Sequence, residues 1–229
     1  MVFLGIVRVF ISVLVVNIVV SAERPLPKIL DDPIIGSEKG AIHVVTSTEC
    51  FKSYFVYQSL ALKYTFDKTG QPGKITRLIS CNEDEAESLS QEDLAIMDTL
   101  VVPNWKQHPI SGDYYQPYNK PVSMMFWLAE RRPTAEWTLI VDPDMMFRQP
   151  FTVEDFWVPE GFAVSAHYNY LEGGHNALAE RHIPEVPAKD DLYAGPKGRK
   201  ADESGAFMFV RTRDLMKIAP LWLSYTEAV

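Results

Sequence analysis

The chain has 229 residues, a formal net charge of −8, 47% hydrophobic residues and 23% charged residues. That length supports one domain with a sizeable core, and the composition is that of a globular protein. The absence of a basic stripe argues against a nucleic-acid partner, whereas a phosphorylated ligand needs only a local cation, a metal or a helix N-terminus.

The first stretch, "MVFLGIVRVFISVLVVNIVVSA" (1–22), is apolar apart from Arg8, Ser12, Asn17 and Ser21. Val20-Ser21-Ala22 supplies the small residues of a signal-peptidase site, so residues 1–22 are expected to be a signal peptide. An uncleaved signal-anchor is the alternative, because the run is almost long enough to span a bilayer. A buried core helix is the weakest reading at this position. Residues 23–39 read as a polar, Pro-containing linker, and 40–229 as the domain. Entry into the secretory pathway is expected, on the lumenal side of the ER or Golgi. In that oxidising compartment Cys50 and Cys81 suggest a disulfide, with two buried thiols as the plain alternative.

From Gly40 onward, strand-like and helix-like patterns alternate. Ala41–Ser47 is a β-branched run. Ser47 or Thr48 is expected to cap a helix from about Glu49 to Lys68, with Phe51, Tyr54, Phe55, Gln58, Leu62 and Phe66 at helical spacing. Gly70-Gln71-Pro72-Gly73 stops it. Lys74–Cys81 reads as a second strand. The acidic run that follows reads as a solvated helix with Leu89, Leu94, Ile96 and Met97 inward, and "TLVVP" as a third strand. "NWKQHPISGDYYQPYNKP" is a long aromatic loop broken by prolines, a type that is often functional. "VSMMFWLAE" is a buried helix, with Met124 to Leu128 expected in the core, and Trp137–Val141 is a buried strand. "GFAVSAHY" is a further strand, followed by a long polar loop; a last strand and a helix starting near Thr212 or Asp214 close the chain. This order predicts an α/β domain with a mostly parallel sheet. Such sheets bind ligands outside the carboxyl ends of their strands. No Walker loop or G-x-G-x-x-G follows the first strand.

The strand Trp137–Val141 runs directly into Asp142-Pro143-Asp144. In extended backbone, residues i and i+2 share a side, so the two carboxylates are expected to converge on one spot. Two like charges so placed call for a cation, and oxygen ligands at an open site suit Mg²⁺ or Mn²⁺ held jointly with a diphosphate. The plain alternative is an acidic turn begun by Asp-Pro.

"YNKPVSMMFWLAERRPTAEWTLIVDPDMMFRQPF" resembles the peptidyl serine α-galactosyltransferases and the related hydroxyproline O-arabinosyltransferases. "IHVVTSTEC", "TGQPGKITRLISC", "VPNWKQHPISGDYY", "SAHYNYLEGG" and "IAPLWLSYTEAV" agree as well. The resemblance covers Gly40 to Val229 and implies a GT-A-like nucleotide-sugar fold, a UDP-sugar donor, a divalent cation and retention of anomeric configuration. The implied acceptor is a seryl or hydroxyprolyl hydroxyl in a Hyp-rich glycoprotein, and galactose is the favoured sugar. In that family further blocks follow "APLWLS", so this chain is expected to be a C-terminally truncated domain. The resemblance favours Lys120 as a cation for the donor diphosphate at a helix entrance. Thr46, Ser47 and Thr48 end the first strand where a nucleotide would lie. His167 or His175 is a candidate for completing the metal shell, each with a structural role as its alternative. Tyr168 and Tyr170 are candidates for a sugar platform, and Trp105, Tyr114, Tyr115 and Tyr118 for stacking on a sugar or an extended Pro-rich peptide. The rival function is a secreted, non-catalytic glycan- or peptide-binding module that retains the fold.

Overall fold

A computed structural model of the chain describes residues 24–29, 31–156, 158–168 and 204–227. The expected signal segment, Tyr170 and His175 lie outside the described residues. Among the described residues, six strands form one sheet: β1 (Glu38–Glu49), β2 (Lys74–Cys81), β3 (Asp98–Pro103), β4 (Ala135–Val141), β5 (Val164–His167) and β6 (Ser204–Arg211). Their order is β3-β2-β1-β4-β6-β5. β1 to β4 pair in parallel, β6 runs antiparallel to β4, and β5 runs antiparallel to β6. β6 is thus the one reversed strand among those described, and the mostly parallel sheet expected from the alternation is present.

Strand alternation gives the sheet two buried faces. On one, Val45, Leu78 and Ile140 pack against α4 (Asn119–Arg131) and α5 (Thr212–Glu227), through Val122, Phe126, Leu215 and Leu223. Met124 to Leu128 are all buried, as the apolar run predicts. On the other face, Val44, Leu139 and Val141 pack against Leu62 and Phe66 of α1 (Ser53–Thr69) and against Phe147, Phe151 and Phe156.

Three local expectations are corrected. β1 does not stop at Ser47: its register with β2 continues through Thr48 and Glu49, and the Cys50–Cys81 disulfide closes the pair beyond the last rung. Thr48 therefore caps no helix; its hydroxyl donates to the Leu78 carbonyl at 3.4 Å, and α1 begins only at Ser53. Phe51 and Tyr54 are exposed: Phe51 precedes α1, and Tyr54 lies off the helix face on which Ser59, Leu62 and Phe66 are buried. The acidic run is two short helices, α2 (Glu83–Glu87) and α3 (Gln91–Leu94), separated at Ser90, whose hydroxyl accepts from the Asp93 N–H at 3.0 Å. Gly70 ends α1 in the left-handed region (φ 68°), with its N–H bonded to the Asp67 carbonyl.

Candidate active site

The carboxyl ends of β1 and β4 lie side by side, with Thr46 paired to Val141. Immediately past β4, Asp142 to Met145 form a turn closed by a 3.1 Å bond from the Met145 N–H to the Asp142 carbonyl. Pro143 presets the φ of the turn's second residue. The extended geometry expected for the Asp-Pro-Asp run is therefore replaced by a turn; Asp142 is half-buried and Asp144 exposed.

α4 brings Lys120 to this edge. Its Nζ donates to Asp142 Oδ1 at 2.6 Å, an ion pair open to solvent on both sides. The first turn of α4 is fastened to β1. The Ser123 hydroxyl donates to the Lys120 carbonyl at 2.9 Å and lies 3.1 Å from the Ser47 hydroxyl. Ser47 thus faces α4 and the site. Thr46 points to the opposite face, fully buried, and its hydroxyl has no hydrogen-bond partner among the described residues.

Beside the ion pair lies a cleft of about 490 Å³, within the size range of small-ligand sites. Its walls come from the end of β1 (Ser47, Glu49), the start of α4 (Asn119, Lys120), the aromatic loop (Tyr115) and α5 (Trp222). Asn119 is its buried organiser. Its Oδ1 accepts from the Trp105 N–H at 2.6 Å, and its Nδ2 donates to Asn104 Oδ1 at 3.1 Å and reaches Glu49 at 3.5 Å. The other Glu49 oxygen pairs with Lys52 Nζ at 2.8 Å, and chiefly this bond raises the Lys52 pKa, keeping a fixed cation at the rim. Glu49, Lys52 and Asn119 were not singled out from the sequence. Asn119 sits within the "YNKP" block, and Glu49 would have followed from running β1 on to Cys50. Trp222 has no such signal, since only the packing of α5 brings it here.

The aromatic loop divides its side chains. Trp105 and Tyr118 are buried, and the Tyr118 hydroxyl donates to Asp113 at 2.9 Å. His108 accepts two backbone N–H groups at Nδ1 and meets Glu227 of α5 through Nε2 at 3.0 Å. These contacts hold the loop down and leave Tyr114 and Tyr115 exposed. His167 ends β5, and Tyr168 directly follows it.

The donor chemistry of the Asp142–Met145 turn fits a hard divalent ion at an open position: two carboxylates, one exposed, on a solvent-facing edge. No group of three or more His, Cys, Asp or Glu side chains gathers for a metal among the described residues.

Residues 43–229 match the model of the hydroxyproline O-arabinosyltransferase family N-terminal domain. The peptidyl serine alpha-galactosyltransferase of Chlamydomonas reinhardtii is 38% identical over 199 residues, covering 87% of this chain and 26% of that protein. That of Arabidopsis thaliana is 38% identical over 192 residues, covering 82% of this chain and 22% of that protein. The chain thus spans about a quarter of the length of these curated relatives. Among solved structures, the WbbM bifunctional glycosyltransferase aligns with a TM-score of 0.46 at 11% identity, over 83% of this chain and 35% of that one. The galactosyltransferase LgtC aligns with a TM-score of 0.45 at 12% identity, over 82% and 66%. The family match spans the sheet, the Asp142–Met145 turn and the cleft alike, and the chain belongs to the hydroxyproline O-arabinosyltransferase family.

Proposed function

We propose that this chain forms the donor-binding part of a retaining, metal-assisted glycosyltransferase acting in the lumen of the secretory pathway. The donor is a UDP-sugar, with galactose favoured because the relatives named above are serine galactosyltransferases. The acceptor is a seryl or hydroxyprolyl hydroxyl of a Hyp-rich glycoprotein. The observation that carries this reading is the Lys120–Asp142 pair at the carboxyl edge of a parallel sheet, opening on a ligand-sized cleft. The Cys50–Cys81 disulfide supports the oxidising compartment.

In this scheme the cleft takes the nucleotide, with Ser47 and Asn119 on its walls. Lys120 exchanges part of its bond to Asp142 for the donor diphosphate, and the N-terminal end of α4 adds its dipole. Asp142 and Asp144 would hold Mn²⁺ or Mg²⁺, which neutralises charge on the departing diphosphate. Retention places acceptor and leaving phosphate on one face of the sugar, so a phosphate oxygen serves as base for the acceptor hydroxyl.

Calorimetry with UDP-galactose, with and without Mn²⁺, tests the assignment. Binding should depend on Mn²⁺, and Asp144→Asn should abolish the dependence. Lys120→Ala should weaken binding about 10- to 100-fold, the worth of a charge-assisted phosphate contact. Unchanged Mn²⁺-dependent binding in Asp144→Asn would remove the metal role. A second reading, a non-catalytic glycan- or peptide-binding module, is favoured by the Asp142 carboxylate's existing partner in Lys120. Donor binding without turnover in the full-length homologue would select it.

A further inference from the structure

Glu49 ends β1 on the wall of the cleft, and neither the diphosphate contact nor the metal contact involves it. Its side chain is 10% exposed. A carboxylate so enclosed is costly to desolvate, and only good partners offset that cost. Lys52 Nζ meets one oxygen at 2.8 Å, and the Asn119 amide reaches the other at 3.5 Å. Each partner takes one acceptor position, whereas an ionised carboxylate offers about four. No other donor among the described residues meets either oxygen. The remaining lone pairs sit side by side, on a carboxylate held at both oxygens and set in the wall of a cleft.

The surroundings say what this group is suited to hold. Lys52 already neutralises its charge, and no group of three metal-ligating side chains forms around it among the described residues, so it does not call for a cation. An acceptor-only group recognises hydroxyl or N–H donors. Tyr115 and Trp222 line the same cleft. A sugar ring offers C–H faces to aromatic walls and hydroxyls at its rim, so aromatic side chains and a fixed carboxylate in one cleft suit it. Glu49 also stands at a junction. A second cleft, of about 540 Å³, opens between α1, β2 and α3 and shares Thr48, Glu49 and Phe55 with the first. A ligand long enough to occupy both passes the carboxylate.

We infer that the Glu49 carboxylate grips a vicinal diol of a sugar ring bound in the cleft, accepting one hydroxyl on each oxygen, and that Lys52 and Asn119 are the positioning residues that aim it. Two adjacent ring hydroxyls match two acceptors on one carbon, as an acidic side chain matches ribose in dinucleotide-binding sheets. The diol is that of a nucleotide's ribose or that of the pyranose it carries. The nucleotide as bearer of the diol rests on the donor-binding reading; the contact itself requires only a sugar ring.

The test is calorimetry in Mn²⁺ with UDP, 2′-deoxy-UDP and UDP-galactose, on the parent chain, Glu49→Gln and Lys52→Gln. If the ribose is gripped, the parent chain prefers UDP over 2′-deoxy-UDP by about tenfold or more, the worth of a hydrogen bond to a charged acceptor, and Glu49→Gln lowers that preference to about threefold or less. If the pyranose is gripped, Glu49→Gln weakens UDP-galactose by a similar factor and leaves UDP nearly unchanged. In both cases Lys52→Gln, which keeps a donor on the carboxylate, retains the discrimination. Should Glu49→Gln fail to fold, Glu49→Asp, which withdraws the carboxylate by one methylene, takes its place. Discrimination that persists in the Glu49 variant overturns the proposal. So do equal losses for all three ligands, because a merely structural carboxylate weakens every ligand alike. If the parent chain binds no nucleotide, the donor reading fails, and saturation-transfer NMR with methyl α-galactoside decides the contact. Saturation that is lost in Glu49→Gln supports the diol grip; saturation absent from the parent chain, or retained in the variant, overturns it.

Discussion

Gly73, just before β2, lies tight against the β1 backbone. Its φ is 99°, and a Cβ there would sit 2.0 Å from the Ile42 carbonyl oxygen. Neither the conformation nor the space admits a side chain, so Gly73→Ala should lower stability by about 3 kcal/mol or more in urea unfolding, from strain and displacement of β1. His43 makes a different demand. Its Nε2–H donates to the Thr76 hydroxyl at 2.7 Å, and Thr76 donates in turn to Asp98 at 2.7 Å. Burial, with help from Lys74, lowers the His43 pKa from 6.5 to about 4. Between these values the unfolded chain binds the extra proton and the folded chain does not. The stability contribution is therefore complete above pH 6.5 and is lost as pH falls through about 4. Unfolding at near-neutral pH and at about pH 4 should show an acid loss of which about 3 kcal/mol vanishes in His43→Gln.

At the scale of elements, the Cys50–Cys81 bridge ties the tails of two adjacent parallel strands across a sequence separation of 31. In the chain-entropy model a loop of that length stabilises by about 3–4 kcal/mol. Cys50→Ser/Cys81→Ser should lose about that much in chemical denaturation and should raise hydrogen exchange first at Thr48 and Glu49, the last rungs before the bridge. The alternation of strands and helices was legible because β1, β2 and β4 are buried on both faces and carry clusters of β-branched and apolar residues bounded by turn and cap signals. Where α1 begins was not legible. Thr48 looks like a cap by residue type, but the β1–β2 ladder claims it, and the later start leaves Phe51 outside the helix while Leu62 and Phe66 stay inward. The reversal of β6 was equally hidden, since strand direction depends on a connection outside the described residues and not on strand composition. Of the candidate site, the place of Asp142 and Lys120 at the sheet's carboxyl edge was legible from the strand edge and the family blocks, whereas their pairing and the turn that carries Asp144 were not. Glu49 and Asn119 needed the ladder register and the loop contacts to bring them together.

At the scale of the molecule, one face of the sheet carries α4 and α5 and the other carries α1 and the phenylalanine cluster, so the carboxyl edge is the shared border of two cores. The cleft is built where they meet, from residues as distant in sequence as Ser47 and Trp222. The aromatic loop's bond from His108 to Glu227 has a mechanical meaning in that setting. It latches the mouth of the cleft to the final turn of α5, which carries Pro220 midway and so lacks one backbone rung at that point. A tug on the final turn of this rod reaches the tyrosines at the entrance through the imidazole–carboxylate hook together with the packing of α5 on the loop, while Leu215 and Leu223, on either side of the proline, keep the rod seated on the sheet.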